Sequence, residues 1–486
     1  MAAHNEELNI QAIASRAVSG VFALISRQFV INLISLAASF IIYTILPKNE
    51  IGIYVIAIAI QRVISFFTDF GLGAALIQKK EELNDADTST TFTLQAIITF
   101  AIFILVLILS ALIMNFFKLN DAGTRLLLVL VFSIFLSSFK IIPSILLERK
   151  IQFKKLIIPQ ISEVLVFNLI LITLVLSKFG IDSYTWAFLI SSLISIPIYY
   201  YVSPWKIKFN LNKKSLHHLK FGTQFQAKNI LATVKDDLLT VILARLLTFS
   251  EIANIGFAQR LAFFTYRYTV DSVTKVSFSA LSRLQGNLDH LRIAIEKSFF
   301  FISFIMFPTL FTLMFIAHPL ILYFPNWHGK WEQAVPSLIF FSLNALISSF
   351  SSILINVLDS TGRVKTTLKL MMLWTAMTWT LTPLLIYFYG FNGVAAASFI
   401  ITLTIFITIH LVKKIVNFNS LNSIRKPALA TALLSICLYI GTQLFVNNLS
   451  TLIIVIIICG LIYLATMYLI AKKEVENDIK ILFHKQ

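Results

Sequence analysis

At about fourteen places this chain runs for some 20 residues with almost no charge, and that recurrence restricts it to one structural class. The blocks fall at 21–46, 51–77, 92–117, 125–147, 156–177, 184–202, 221–247, 252–281, 298–324, 334–358, 368–389, 393–412, 427–446 and 451–471. Each is long enough to cross a hydrocarbon layer as a helix, which needs about 20 apolar residues. Barrel strands need only about 10, with alternating polarity, and these blocks are continuously apolar. Only helices satisfy their backbone within the block, as lipid demands. The breaks between blocks are too short to hold a soluble domain. Charged residues make up 13% of the chain, against about a quarter in soluble domains. The expected fold is all-α, a polytopic membrane protein of about 14 transmembrane helices. The first residues carry Glu6, Glu7 and Arg16 with no basic start or small-residue cleavage site, so no secretory signal peptide is expected.

The formal charge of +17 raises nucleic acid as a partner, and its placement removes it. Alternate loops collect the cations: Lys79 and Lys80; Arg149, Lys150, Lys154 and Lys155; Lys206, Lys208, Lys213, Lys214 and Lys220; Arg363 and Lys365; Lys413, Lys414, Arg425 and Lys426; Lys472 and Lys473. The other loops hold little beyond Lys48, Lys118, Lys178 and Lys330. This is the positive-inside bias, and it places both termini in the cytoplasm. Cys437 and Cys459 lie in apolar blocks without metal-ligand spacing.

The chain repeats weakly. Residues 46–52 read LPKNEIG and residues 247–253 read LTFSEIA; at that offset Arg27 falls on Lys228. Each copy has a cation inside a long helix, a short outer turn ending in Glu-Ile, and a second long helix. Internal repeats commonly build a transporter whose site lies between two halves that rock against each other. The expected organisation is a six-span N-terminal lobe over 1–204, a six-span C-terminal lobe over 205–416, and a final pair of spans with a tail over 417–486. The two lobes are expected to be pseudo-symmetric around a central cationic cavity.

Ionisable side chains near the middle of a membrane cost about 2.5 kcal/mol or more each, so they mark cavities, partners or function. Span 1 carries Arg27; span 2 Arg62 and Asp69; span 7 Lys228, Lys235, Asp236, Asp237 and Arg245; span 8 Arg260, Arg267, Asp271 and Lys275. Steps of three and four put Arg260, Phe264, Arg267, Asp271 and Lys275 on one face of a helix, and do the same for Gln224, Lys228, Leu231 and Lys235. Arg62 and Asp69 share a stripe two turns apart. Turned inward, these faces make a wet, net-positive cavity suited to a diphosphate, because arginine grips phosphate through two charge-assisted hydrogen bonds and lysine adds a point charge. The candidate substrate-binding residues are Arg27, Arg62, Lys228, Lys235, Arg260, Arg267 and Lys275, with Tyr266, Tyr268, Gln224, Gln226 and Asn229 available to sugar hydroxyls. A structural alternative stays open: Arg267 neutralises Asp271, Lys235 pairs with Asp236 or Asp237, and Arg245 and Lys275 snorkel to an interface. Cations outnumber acids on these four spans, so pairing among them leaves positive charge over. Asp69, Asp236, Asp237 and Asp271 are candidates for coupling transport to H+ or Na+. No cofactor and no metal site are expected.

Other features have structural readings. Glu163 in span 5 and Lys140 in span 4 are read as an ion pair within the N-terminal lobe, and Trp327 and Trp331 as an interfacial anchor. Gly71 and Gly73 are read as allowing close helix packing, and Asp85 and Asp87 as loop and capping residues ahead of span 3.

The stretch 66–95, FFTDFGLGAALIQKKEELNDADTSTTFTLQ, resembles the second-to-third-helix region of Wzx-type polysaccharide flippases, especially the colanic-acid and teichuronic-acid exporter branch. The run FGLGAALIQKKE followed by STTF carries the likeness. That family lies within the multidrug/oligosaccharidyl-lipid/polysaccharide exporter superfamily, whose members have two six-helix lobes. The resemblance implies movement of an undecaprenyl-diphosphate-linked oligosaccharide from the cytoplasmic to the outer leaflet of a bacterial inner membrane by alternating access, for O-antigen, capsule or exopolysaccharide export. It implies a protein that works as a monomer beside the polymerase and glycosyltransferases of its pathway. It also implies cavity arginines, which match Arg27, Arg62, Arg260 and Arg267 by position.

Two rival readings share the hydropathy. A membrane glycosyltransferase or polysaccharide polymerase would show a sizeable outer loop with paired acids, and the longest outer loop, 325–333, holds none. A MATE-like cation-coupled antiporter would present buried acids in excess, the reverse of the balance found.

Overall fold

A computed structural model of the chain describes residues 29–68, 72–78, 81, 83–150, 152–212, 234–284 and 287–483. Among them there is no strand. The helices in order are α1 (Phe29–Ile45), α2 (Lys48–Thr68), α3 (Leu72–Gln78), α4 (Asp85–Ile108), α5 (Ser110–Phe117), α6 (Asp121–Arg149), α7 (Phe153–Leu176) and α8 (Asp182–Val202). A π-helical turn at Val234–Leu238 then leads into α9 (Leu239–Leu246) and α10 (Phe249–Leu284). They are followed by α11 (Leu288–Tyr323), α12 (Val335–Ser360), α13 (Val364–Tyr389), α14 (Asn392–Thr402), α15 (Ile405–Lys413), α16 (Ser420–Leu444) and α17 (Leu449–Phe483), which bends at Ala471.

Eleven helical segments among the described residues are long and apolar enough to cross a membrane, and each falls on an expected span. The other three spans differ for stated reasons. Span 1 is described only from Phe29, and span 7 only from Val234. Span 8 is the continuous helix α10, whose charges lower its apolar character.

The described chain divides into two compact units, residues 1–253 and 254–486. In the first, α6 is the central helix, packing on α4, α8 and α2, while α7 packs on α8; the π turn and α9 lie against α2. In the second, α12 packs on α11, α14 and α15, α13 packs on α14, and α16 and α17 add to α11. Spans 3 to 6 and spans 9 to 12 therefore pair in the same pattern. Corresponding turns reinforce the repeat: α7 and α8 are joined through Gly180 at φ +59, and α13 and α14 through Gly390 at φ +57, a positive φ that glycine adopts without strain.

The repeated motif has a packing role. A Cβ on Gly52 would lie 1.9 Å from the backbone oxygen of Phe249, so LPKNEIG meets the start of the second copy backbone to backbone. Gly73 differs from expectation: a Cβ there would meet Ile145 Cδ1 at an ordinary 3.5 Å, and close approach does not require that glycine. Gly71 lies outside the described residues.

Inside the first unit, Lys140 of α6 donates to Glu163 Oε1 of α7 at 2.7 Å and to Ser195 Oγ of α8 at 3.2 Å. The expected ion pair is present and ties three helices. The STTF run also acquires a physical role. Asn84 and Asp87 form a reciprocal capping box, as expected, and Asp85 is paired with Lys208. Beyond the cap, the buried Thr90 and Thr93 hydroxyls accept the backbone N–H groups of Asn212 and Asn210 at 3.1 and 3.0 Å. Phe92 packs against Phe139, Trp205 and Phe209. The extended segment 203–212, the start of the link after span 6, is thus seated along α4. Its backbone donors find side-chain acceptors in place of a helix or sheet partner.

Two expectations follow for stability in detergent. Gly52→Ala destabilises the protein by about 2–3 kcal/mol through overpacking, and Gly73→Ala by less than about 1 kcal/mol; equal shifts in denaturation midpoint would contradict the backbone contact. Lys140→Met or Glu163→Met alone costs about 1–3 kcal/mol by leaving one part-buried charge without its partner, and the double substitution recovers most of the loss. Additive losses in that cycle would show that the pair is not coupled.

Candidate functional site

Helix α2 buries Ile53, Ile56, Ala57 and Ile60, and its second half carries Arg62 off that face with 55% of the side chain exposed. Nη1 of Arg62 lies 3.5 Å from Oδ1 of Asp237. An arginine on an otherwise apolar spanning helix is tolerated only toward water or an anion. Asp237 supplies the anion from the π turn, which also carries Lys235, half-buried. π turns are rare, short and frequent at functional sites. Arg245, ten residues beyond Lys235, stands apart from this turn. Arg245 instead donates to the Phe116 carbonyl at 3.0 Å, its guanidinium 4.8 Å from the Phe116 ring centre, as expected of a span-end cation reaching for an interface.

Helix α10 runs unbroken through the second stripe, so Arg260, Phe264, Arg267, Asp271 and Lys275 do share a face. A neighbouring face holds the helix to its unit. Phe263 packs on Phe341, the Tyr266 and Ser352 hydroxyls are hydrogen-bonded at 2.7 Å, and Asn356 Nδ2 donates to the Thr274 carbonyl at 3.3 Å. These residues lie about a quarter-turn round the helix from the charged stripe, at 3.6 residues per turn. Arg260 is half-buried and Arg267 exposed. The second unit thus anchors α10 by a face about a quarter-turn from the arginines.

The Tyr266 hydroxyl is held against α12 by Ser352, which leaves its oxygen able to accept a further hydrogen bond. Contrary to the sequence reading, Trp327 and Trp331 are not interfacial anchors. Both are fully buried, with Trp331 stacked on Phe257 at 4.4 Å and Trp327 edge-on to the same ring at 5.1 Å. The loop 324–331 folds back as core for the start of α10, because two indoles and a phenyl ring bury more apolar surface against one another than at a membrane surface.

Arg27, Asp69, Lys228, Gln224, Gln226 and Asn229 lie outside the described residues. Asp236, Tyr268, Asp271 and Lys275 sit on described backbone, with their side chains outside the description. The Arg62–Asp237 contact carried no sequence signal, since it joins two helices far apart in the chain through a turn that periodicity does not announce.

Residues 41–336 match the family described as polysaccharide biosynthesis protein. The lipopolysaccharide biosynthesis protein WzxC of Escherichia coli (strain K12) is 22% identical over 374 residues, covering 74% of this chain and 73% of that protein. Among solved structures, the lipid II flippase MurJ in an inward closed conformation aligns with a TM-score of 0.77 at 21% identity, over 93% of this chain and 99% of that one. A multidrug resistance MATE family transporter of the MOP superfamily, inward-facing, aligns with a TM-score of 0.61 at 12% identity, over 81% and 98%. With its family matched across more than half its length and its fold shared with these transporters, the chain belongs to the polysaccharide biosynthesis protein family as an all-α, multi-pass membrane protein.

Proposed function

We propose that this protein is a flippase, not an enzyme, that moves an undecaprenyl-diphosphate-linked oligosaccharide from the cytoplasmic to the outer leaflet of the bacterial inner membrane by alternating access. The observation that carries the reading is the placement of arginines within the helices of a membrane bundle: Arg62 on α2, exposed and answered by one carboxylate, and Arg260 and Arg267 on one face of α10. Such faces need an anion or water, and a diphosphate fits the guanidinium fork. Relatives named for lipopolysaccharide biosynthesis and for flipping lipid II support the cargo class. The binding set is Arg27, Arg62, Lys228, Lys235, Arg260, Arg267 and Lys275. Coupling to H+ or Na+ is assigned to the acids Asp69, Asp236, Asp237 and Asp271. Asp237 stands first among them, because its contact with Arg62 lets cargo phosphate and carboxylate compete for one cation. Both termini are cytoplasmic, the working unit is a monomer, and the pathway's polymerase and glycosyltransferases are its neighbours.

The MATE-like alignment favours a second reading, a cation-coupled antiporter of small molecules. Cations exceed acids on spans 1, 2, 7 and 8, which suits an anionic cargo better.

In proteoliposomes, Arg260→Ala and Arg267→Ala each lower leaflet transfer of a polyprenyl-diphosphate sugar about 10- to 100-fold, the scale of one lost charge-assisted hydrogen bond. Lysine at either position restores part of the rate, because the charge returns without the fork. Wild-type transfer by the doubly neutralised protein would remove these arginines from the mechanism.

A further inference from the structure

A cavity with two cations in its lining opens at one end of the second unit. Arg292, Glu296, Lys413, Asn417, Phe418 and Asn419 line a cavity of about 330 Å³. Glu296 organises it: Oε1 accepts the Arg292 Nε–H at 3.3 Å and the Asn419 backbone N–H at 2.9 Å, joining α11 to the start of α16. That use of Nε leaves the two terminal nitrogens of Arg292 without a partner among the described residues. The Lys413 ammonium lies 5.9 Å from the centre of the Phe418 ring and meets no carboxylate among the described residues. Phe418 itself is buried against Phe299, so the floor is fixed. Two cations against one already-engaged carboxylate leave the cavity net positive, with the Asn417 and Asn419 side-chain amides as further donors.

Depth identifies the source of the anion. Helix α11 has 36 residues, about 54 Å at 1.5 Å per residue, against a hydrocarbon core of about 30 Å. Its first turns, which carry Arg292 and Glu296, therefore project into the head-group layer. The positive-inside pattern makes that layer the cytoplasmic leaflet, where Lys413, Lys414, Arg425 and Lys426 cluster. Ile293 and Leu421, at the same ends of α11 and α16, are 49% and 73% exposed and offer apolar surface to acyl chains.

We propose that this cavity binds the phosphate of an anionic phospholipid of the cytoplasmic leaflet, held by the Arg292 fork and Lys413. The shared chemistry is a phosphate ester, and the test separates a lipid head group from free phosphate. Purified full-length protein is exposed to mixed micelles containing phosphatidylglycerol or phosphatidylcholine, and bound lipid is counted by native mass spectrometry. The proposal expects phosphatidylglycerol to be retained about fivefold more than phosphatidylcholine. It expects Arg292→Gln with Lys413→Gln to abolish that preference while Arg363→Gln with Lys365→Gln, outside the cavity, preserves it. Millimolar inorganic phosphate should leave lipid retention unchanged. Equal retention by wild type and the cavity variant, with both eluting as folded monodisperse protein, would overturn the site. Displacement of the lipid by inorganic phosphate would overturn its assignment to a membrane lipid in favour of a soluble phosphate.

Discussion

An ionised side chain inside hydrocarbon must find water, a counter-ion or a way out, and this requirement organises the protein more than any other. The described residues show each solution. Lys140 takes the counter-ion route, enclosed by Glu163 and Ser195 where three helices meet. Arg245 takes the exit, reaching a backbone carbonyl and a ring at the end of α5. Arg62 lies between these cases, with one carboxylate at 3.5 Å and more than half its side chain still exposed. Arg260 and Arg267 share one face of α10, the first half-buried and the second exposed. Where the fold leaves a cation such as Arg62 more than half exposed, a further anion has room to approach it.

The apolar scaffold makes that arrangement rigid. Each unit repeats one plan, a central helix gripping its neighbours, with a glycine at positive φ turning a hairpin at its flank. Gly52 lets α2 and the start of α10 meet without an intervening side chain, and buried Trp327 and Trp331 hold the same region of α10 from within the second unit.

Much of this was legible in the sequence, and the divide between what was and was not is physical. Span positions follow from apolar length alone, and the Lys140–Glu163 pair from the cost of two opposite lone charges in adjacent spans. The Asp87 cap follows from local chemistry. What resisted was tertiary. Indoles look alike whether they face a membrane surface or a neighbouring ring, so the burial of Trp327 and Trp331 had no local signature. Tyr266 and Arg267 are adjacent in sequence and fall on different faces, and only packing against Ser352 decides which faces inward. The STTF run was informative as a resemblance, yet its role as a seat for segment 203–212 needed the connector's backbone beside it. The Arg62–Asp237 contact depends on a π turn, which breaks the periodicity on which helical reading relies.

The central claim is that an excess of intramembrane cations is matched to an anionic lipid cargo. The most direct measurement places two cargoes before the same proteoliposomes: a fluorescent polyprenyl-diphosphate sugar, scored for leaflet transfer, and an organic cation, scored for efflux. The account predicts saturable transfer of the diphosphate lipid and no protein-dependent efflux of the cation. Efflux of the cation with the diphosphate lipid left in its original leaflet would contradict it.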